Sequence, residues 1–225
     1  MGHFNIAIDG PAGAGKSTIA KLAASRLGFV YVDTGAMYRT MALYFLRLGI
    51  KAEDEKAVEA ACRDVDVTIR YEDGAQQVIL NGENVSGLIR TEEVGNMASA
   101  VSVYMPVRTK LVELQQRLAR EADVIMDGRD IGTCVLPDAP VKIYLTASVE
   151  VRAMRRCREL QEKGIPCCLE DIETDIADRD YRDMHREHSP LKQAEDAVII
   201  DSSRMTIQEV VERIIFEARE RGLEA

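Results

Sequence analysis

Short apolar runs alternate with longer amphipathic stretches along most of the chain. The runs have the length of buried strands, and the stretches between them have the spacing of helices. Strands separated by helices in this way form βαβ units, so the pattern predicts an α/β fold built on a parallel sheet. The predicted strands cover residues 4–9, 29–33, 124–127, 141–145 and 197–201.

The amphipathic stretches carry capping signals at their ends. Thr34, Ser148 and Thr206 stand where a hydroxyl can cap the first turn, and Pro106 suits the first turn of a helix. Gly28, which follows the first stretch, is a typical helix end. The predicted helices cover residues 18–27, 36–48, 53–63, 91–103, 106–121, 148–163, 169–186 and 206–221.

The pattern of apolar and polar residues changes between residues 67 and 85. Segments 67–71, 77–80 and 83–85 alternate in polarity or carry β-branched residues. Asp73-Gly74 and Asn81-Gly82 stand between them as hairpin turn signals. This stretch therefore predicts a small antiparallel β insert within the parallel pattern.

Composition and net charge limit the kinds of molecule that the protein is expected to bind. The chain has 225 residues and a formal net charge of −9, from 29 Lys and Arg against 38 Asp and Glu. An acidic balance argues against nucleic acid or an anionic membrane as the main partner. Any anion that the protein binds must then be held by a local basic cluster.

The start of the sequence and its cysteines indicate the expected cellular location. No apolar run approaches the length of a membrane span, and the first predicted strand leaves no room for a signal peptide. The five cysteines are odd in number and contain no C-x-x-C spacing. We therefore expect reduced thiols in a cytoplasmic protein.

Residues 10–18 match the phosphate-cradling pattern G-x-x-x-x-G-K-[ST] between a predicted strand and a predicted helix. Backbone N–H groups and the positive end of the helix dipole converge on an anion there. Lys16 can reach the β- and γ-phosphates of ATP, and the Ser17 hydroxyl can ligate Mg²⁺. A plain glycine-rich turn is the alternative, and the complete pattern in this context disfavours it. The loop consists of Gly10, Pro11, Ala12, Gly13, Ala14, Gly15, Lys16, Ser17 and Thr18.

Further polar residues follow two other predicted strands, at segments 33–39 and 127–130. Ligands of parallel α/β sheets bind at the carboxyl ends of the strands. Asp127 stands where phosphate-loop enzymes place the carboxylate that organises Mg²⁺, although an Asp before Gly128 also suits a turn. Arg39 and Arg129 can grip phosphate oxygens with two N–H groups each, or they can be exposed or salt-bridged arginines.

Taken together, these motifs resemble the bacterial cytidylate kinase family of nucleoside monophosphate kinases. The resemblance covers essentially the whole chain, including the β insert. It implies five parallel strands flanked by helices, an acceptor-binding arm and a mobile lid in a monomer. The segments that carry it are 10–18, 33–39, Ser99 with Arg108, 127–130 with Gly132-Thr133, and 179–183 with Arg186. The implied single kinase domain has its core at about 1–33, 106–150 and 195–225, its arm at about 34–105, and its lid with charged helices at about 151–194.

The resemblance also implies a role for each matching residue. It places Arg39, Arg129 and Arg186 at the acceptor phosphate, Ser99, Arg108 and Asp130 at the base, and Arg179 and Asp183 at the ribose. Thr34 keeps the substrate-binding hydroxyl where the family often has Ser. A carboxylate can accept from the cytosine amino group, while uracil reverses that polarity, so mispaired groups would exclude it.

Two arginine clusters keep a second interpretation open. Arg179, Arg182, Asp183 and Arg186 share one helical face, but i,i+4 pairs with Asp175 and Asp178 would equally suit a solvated helix. Arg152, Arg155, Arg156 and Arg158 are either lid arginines that close over the transferring phosphoryl group or a basic surface stripe. The sequence does not choose among these four.

The predicted function is γ-phosphoryl transfer from MgATP to the small-molecule acceptors CMP and dCMP. A kinase for UMP, AMP or shikimate is the first alternative, and the β insert and Asp130 count against it. A nucleotide-dependent switch is the second. It would need a guanine-reading Asn-Lys-x-Asp, and no Asn precedes Lys in this chain.

Overall fold

The computed structural model describes residues 2–223, which divide into two compact units. The first unit comprises the chain up to Tyr31 and from Asp123 onward, and the second runs from Val32 to Ala122. The division into core, arm and lid by sequence stays a prediction. The strands are β1 (Asn5–Asp9), β2 (Val30–Asp33), β3 (Val67–Glu72), β4 (Ala75–Leu80), β5 (Glu83–Asn84), β6 (Val124–Gly128), β7 (Val141–Thr146) and β8 (Val198–Asp201). The α-helices are α1 (Lys16–Leu27), α2 (Thr34–Arg47), α3 (Glu55–Asp64), α4 (Glu92–Val101), α5 (Met105–Glu121), α6 (Val149–Glu162), α7 (Leu169–His185) and α8 (Ile207–Glu220).

The predicted parallel sheet is confirmed, with five strands in the order β2-β6-β1-β7-β8. The central strand β1 runs parallel to both of its neighbours, and Ile6 pairs with Ile125 on one side and Val141 on the other. These side chains are fully buried. Their continuous apolar character suits a strand that helices cover on both faces. Because β1 is central, the segment that follows it emerges in the middle of the carboxyl edge.

The core of the first unit packs the apolar stripes of α1 and α8 onto this sheet. Ile19, Ala23, Val211 and Ile214 belong to the same buried cluster as Ile8. The apolar stripe of α8 continues for three turns, and a capping box of Thr206 and Glu209 closes its start. The packing fixes the start of α1, which follows directly after the predicted phosphate loop.

Capping chemistry sets most helix starts as predicted, with one exception. The hydroxyls of Thr91, Ser148 and Thr206 each accept a backbone N–H of the first turn. The prediction that Thr34 caps α2 is wrong, because the Asp33 carboxylate accepts from Ala36 N at 2.9 Å and Thr34 is the first helical residue. Asp is at least as good a cap as Thr, so the carboxylate one residue earlier takes the position.

The antiparallel insert is confirmed as a three-stranded sheet, β3-β4-β5, in the second unit. Val67 pairs with Leu80 at one end of the first hairpin and Glu72 with Ala75 at the other. Asp73 and Asn81 both have positive φ, as do the glycines that follow them. Asn and Asp tolerate this backbone region better than other residues with a Cβ, which explains the turns at these dipeptides.

The prediction of reduced thiols throughout is wrong for two cysteines. Cys157 and Cys167 are joined by a disulfide, with their α-carbons 5.8 Å apart, while Cys62, Cys134 and Cys168 are free. Helices α6 and α7 form a hairpin that brings Cys157 and Cys167 together, and no spacing rule predicts that contact. Among residues 2–223, no helix is both long and apolar enough to cross a membrane.

Candidate active site

The predicted phosphate loop forms the turn between β1 and α1. Gly10, Gly13 and Gly15 all have positive φ, which a side chain would disfavour. At Gly10 a Cβ would lie 1.9 Å from the backbone oxygen of Leu145, so only glycine fits beside β7. Gly15 caps α1 without a side chain, and its position leaves the first N–H groups of the helix directed into the loop.

Lys16 begins α1 and is buried beneath the loop. Its ammonium group donates to the backbone oxygen of Pro11 at 2.7 Å, which folds the side chain back over the loop. Burial and, after it, the positive charge of Arg129 lower the pKa of Lys16 to about 7, against the opposing carboxylates of Asp127 and Asp9. Lys16 is therefore poised to gain a full charge when an anion arrives.

Asp127, at the end of β6, holds two hydroxyl groups. Ser17 Oγ donates to Asp127 Oδ2 at 3.0 Å, and Tyr31 donates its phenolic hydrogen to Asp127 Oδ1 at 2.8 Å. The carboxylate is buried, and Ser17 is exposed at the mouth of the loop. Carboxylate and hydroxyl oxygens are the ligand types that Mg²⁺ prefers, so this pair fits the predicted metal position.

Arg129 and the C-terminal part of α7 form two charge pairs beside the loop. Arg129 Nε donates to Asp183 Oδ2 at 2.8 Å, and Arg186 Nη2 lies 3.6 Å from Asp130 Oδ1. Burial alone would raise the pKa of Asp183, but Arg129 and the neighbouring arginines outweigh it and the pKa is lowered. The Arg186–Asp130 pair is almost completely buried, whereas the Arg129 side chain of the other pair keeps 21% of its surface in water.

Only part of the predicted α7 face is turned toward this cluster. Asp183 is buried and Arg179 is half-buried, and the Arg179 charge also acts on Asp183. Arg182 is exposed and donates to the backbone oxygen of Asp178. The solvated-helix interpretation therefore applies to Arg182 and not to its neighbours on the face.

Asp9 is a site residue that the sequence reasoning missed. Its carboxylate, 5% exposed at the end of β1, accepts from Ile131 N at 2.8 Å and from Gly132 N at 2.7 Å. Burial raises the pKa of Asp9 to about 6 despite these two bonds. The contact ties the residue before the phosphate loop to the turn after Arg129 and Asp130. A carboxylate directly after the apolar run of residues 6–8 was the available signal.

Two of the four candidate lid arginines hold the phosphate loop. Arg152 donates to the backbone oxygens of Ala12 at 2.9 Å and Ala147 at 3.0 Å, and its Nη2 lies 2.6 Å from Asp180 Oδ2. Arg155 donates to the backbone oxygen of the loop residue Ala14 at 3.5 Å and to that of Ser202 at 2.8 Å. Arg152 is 3% exposed, which makes it a buried brace between α6, α7 and the loop.

The other two arginines of α6 are exposed. Arg156 pairs with Glu159 at 3.3 Å in an exposed i,i+3 contact, and Arg158 is also exposed. Asp180, the partner of Arg152, was missed by the sequence reasoning because its role depends on the α6–α7 packing.

We use the name loop edge for Asp9, Lys16, Asp127, Arg129 and Asp183.

The second unit carries the remaining predicted site residues. Thr34 is buried, and Arg39 lies against α4, where a Cβ at Gly95 would come within 3.0 Å of its guanidinium. Ser102 links two others, because its hydroxyl donates to the backbone oxygen of Ser99 at 2.8 Å and its own backbone oxygen accepts from Arg108 at 3.3 Å. The α4–α5 junction thus brings Ser99 and Arg108 together.

Comparison with known proteins gives relatives along nearly the whole chain. The family model described as cytidylate kinase matches residues 6–220. A cytidylate kinase from Lactobacillus johnsonii is 53% identical over 211 residues, which cover 94% of this chain and 92% of that protein. A cytidylate kinase from Caldicellulosiruptor bescii is 50% identical over 215 residues, with 96% and 95% covered. A solved gluconokinase from Sinorhizobium meliloti 1021 shares the fold alone, with a TM-score of 0.51 at 13% identity over 96% of this chain and 92% of that chain.

Proposed function

The chain belongs to the cytidylate kinase family, and we propose that it transfers the γ-phosphoryl group of ATP to CMP or dCMP, giving CDP or dCDP and ADP. One observation supports this most: Asp9, the residue before the phosphate loop, pairs with Gly128, the residue before Arg129, on the neighbouring strand. A donor-phosphate cradle and an arginine suited to an acceptor phosphate therefore lie side by side. Two phosphate groups that must react need this arrangement.

On the donor side, the loop residues would bind the triphosphate. The backbone N–H groups of residues 10–17 and the start of α1 attract anionic oxygens, and Lys16 exchanges its bond to Pro11 for a phosphate oxygen. Ser17 and Asp127 would hold Mg²⁺, which neutralises charge on the β- and γ-phosphates when it is bound. Tyr31 orients Asp127 from the other side.

On the acceptor side, the arginines would position the monophosphate. Arg129 would present its Nη groups, of which Nη1 donates to the backbone oxygen of Gly128 at 3.3 Å, while its Nε stays on Asp183. Arg39 and Arg186 would supply further forks. The attacking oxygen already belongs to an ionised phosphate, so the reaction needs no protein base. Catalysis then consists of positioning and charge neutralisation.

Base selection would rest on hydrogen-bond polarity. Asp130, held beside Arg186, offers an acceptor for the amino group of cytosine, and Arg108 and Ser99 offer donors for its ring acceptors. Uracil would oppose an oxygen to the Asp130 carboxylate and leave both without donors. A mispaired buried group costs about 1–3 kcal/mol, which favours CMP over UMP.

A panel of acceptors tests this proposal. Purified protein with MgATP is given CMP, dCMP, UMP, AMP or shikimate, and ADP formation is measured. We expect CMP and dCMP to accelerate ADP formation far above the acceptor-free rate. If neither does so, the proposal fails, and a rate increase with shikimate or AMP alone would identify one of the other kinases.

Asp130→Ala tests base reading separately. We expect kcat/KM for CMP to fall about 10²-fold and that for UMP to change about threefold or less, since only cytosine donates to this carboxylate. Asp138→Ala, an exposed carboxylate nearby in sequence, serves as the control. Equal losses for CMP and UMP would remove Asp130 from base reading. We also propose that the protein acts as a cytoplasmic monomer, in keeping with its acidic, span-free sequence.

A further inference from the structure

Three cysteines lie together where the α6–α7 hairpin turns. Cys157 is in α6, and Cys167 and Cys168 directly precede α7. Cys157 and Cys167 form the disulfide, and both are half-buried, whereas Cys168 is a free and exposed thiol. None of the three residues is therefore buried in the core. We use the name hairpin turn for residues 158–166, which the disulfide closes.

Residues 158–162 of the hairpin turn are the last residues of α6, and the backbone bonds described for residues 163–165 reach back only to the end of that helix. Gly164 N donates to the oxygen of Gln161 and Ile165 N to that of Leu160, both at 2.9 Å. Residues 161–166 are all exposed, and Ile165 keeps 47% of its surface in water. Segments with exposed backbone bonds and little apolar burial open at low free-energy cost. The covalent bond therefore supplies much of the order at this end of the hairpin.

We propose that Cys157 and Cys167 form a reversible redox site whose state sets the mobility of the hairpin turn. Cys157 lies on the same helix as Arg152 and two residues after Arg155, the arginines that bond to backbone oxygens around the phosphate loop. A change at the site therefore acts on the helix that braces the loop. The proposal concerns the thiols and does not depend on the substrate of the enzyme.

The chemistry is thiol–disulfide exchange with a low-molecular-weight disulfide such as glutathione disulfide. The thiolate of one cysteine attacks a sulfur of glutathione disulfide, forms a mixed disulfide and releases one glutathione thiolate. The second cysteine then attacks the protein sulfur of the mixed disulfide and releases the other glutathione. Two protein thiols are oxidised, one glutathione disulfide is reduced to two glutathione molecules, and the reverse sequence restores the thiols.

Alkylation and mass spectrometry test the covalent step. The full-length protein is equilibrated in mixtures of glutathione and glutathione disulfide, alkylated and digested. We expect a peptide linked through Cys157 and Cys167 in oxidising mixtures and complete alkylation in reducing ones, interconverting on transfer. Cys168→Ser should leave this behaviour unchanged, and Cys157→Ser should leave Cys167 either alkylated or carrying glutathione. Linkage through Cys168, or glutathione adducts without any linkage, would overturn the proposal.

Hydrogen exchange tests the effect on the fold. Closing a loop of this size restricts its open states, so amides of the hairpin turn should exchange about tenfold or more faster after reduction. Cys157→Ser should show the fast exchange in both mixtures, and amides of β1 should not change. Equal exchange in the oxidised and reduced wild-type protein would contradict control of mobility by the site.

Discussion

The loop edge and the hairpin turn both belong to the first unit, but they differ in how far their charged side chains are buried. The loop edge buries its charged groups and satisfies them in advance, as in the Arg129–Asp183 pair and the Asp9 contacts with backbone N–H groups. The hairpin turn leaves most of its side chains in water, and the pair between its Glu159 and the preceding Arg156 is about half exposed at each partner. Charge that is buried in pairs is positioned, while charge on an exposed turn remains adaptable.

This difference has a functional consequence. A reaction that depends on positioning needs groups that do not reorganise when the substrate arrives. The loop edge meets this requirement, and its position at the carboxyl ends of β1 and β6 derives from the sheet itself. The hairpin turn, which needs no such order, suits a segment that moves or responds to its surroundings.

The largest effect is expected from Lys16→Ala. Loss of the only ammonium group that the described loop residues 10–18 contain should lower kcat/KM for CMP phosphorylation about 10³-fold, by analogy with removal of one transition-state donor. Steady-state kinetics and circular dichroism measure activity and fold. Lys192→Ala, an exposed lysine of the same unit, should stay within about twofold. Near-normal turnover of Lys16→Ala would break the claim that the loop edge positions the reacting phosphates.

The next effect separates a buried arginine of α6 from an exposed one. Arg152→Ala removes the brace and leaves Asp180 buried without its partner, which costs about 3 kcal/mol and lowers Tm by about 6–12 °C. Arg156→Ala removes an exposed pair and should shift Tm by about 2 °C or less. Calorimetry compares them directly. Similar shifts in the two variants would erase the distinction between buried and exposed arginines.

Asp9→Asn tests how the loop is tied to the turn that carries Arg129. The amide keeps one acceptor oxygen but places an NH₂ group against one of the two backbone N–H donors. We expect KM for CMP to rise about tenfold and KM for ATP to change about twofold, because the displaced turn carries the acceptor residues. Asp138→Asn is the exposed control. Equal changes in both KM values would indicate a general loss of structure instead.

The last effect concerns protons. The pKa of Lys16 is lowered to about 7 by burial and by Arg129, so the amine is mostly neutral above pH 7 before ATP binds. The triphosphate favours the ammonium form, hence binding takes up a proton, and Kd for ATP should rise between pH 7 and 9 by up to about tenfold per pH unit. Calorimetry in buffers of different ionisation enthalpy measures this uptake. Zero uptake at pH 8.5 would show that Lys16 is already charged in the free protein.

The sequence was sufficient to predict the features that depend on neighbouring residues in the chain. The phosphate loop follows from nine consecutive residues, and the turns at Asp73 and Asn81 from dipeptides whose backbone preferences are intrinsic. It missed contacts between distant segments: Asp9 bonds to Gly132, 123 residues away, and Arg152 to Ala12, 140 residues away. No periodicity or spacing reports such partners, because they depend on which strand ends the sheet places side by side.

The same reason explains the cysteines and the choice among the lid arginines. The pairing of Cys157 with Cys167 depends on the α6–α7 hairpin, and burial of Arg152 depends on Asp180 across it. From the sequence, all four arginines on α6 looked equivalent. Packing divides them into two that brace the loop and two that face water.

Phosphorus NMR of a mixture of ATP, CMP and Mg²⁺ with the protein tests the central claim most directly. The account predicts that the γ-phosphate signal of ATP declines as the β-phosphate signal of CDP grows in equal amount, with inorganic phosphate staying near background. Release of inorganic phosphate without CDP would contradict it, because the loop edge would then activate ATP without positioning an acceptor.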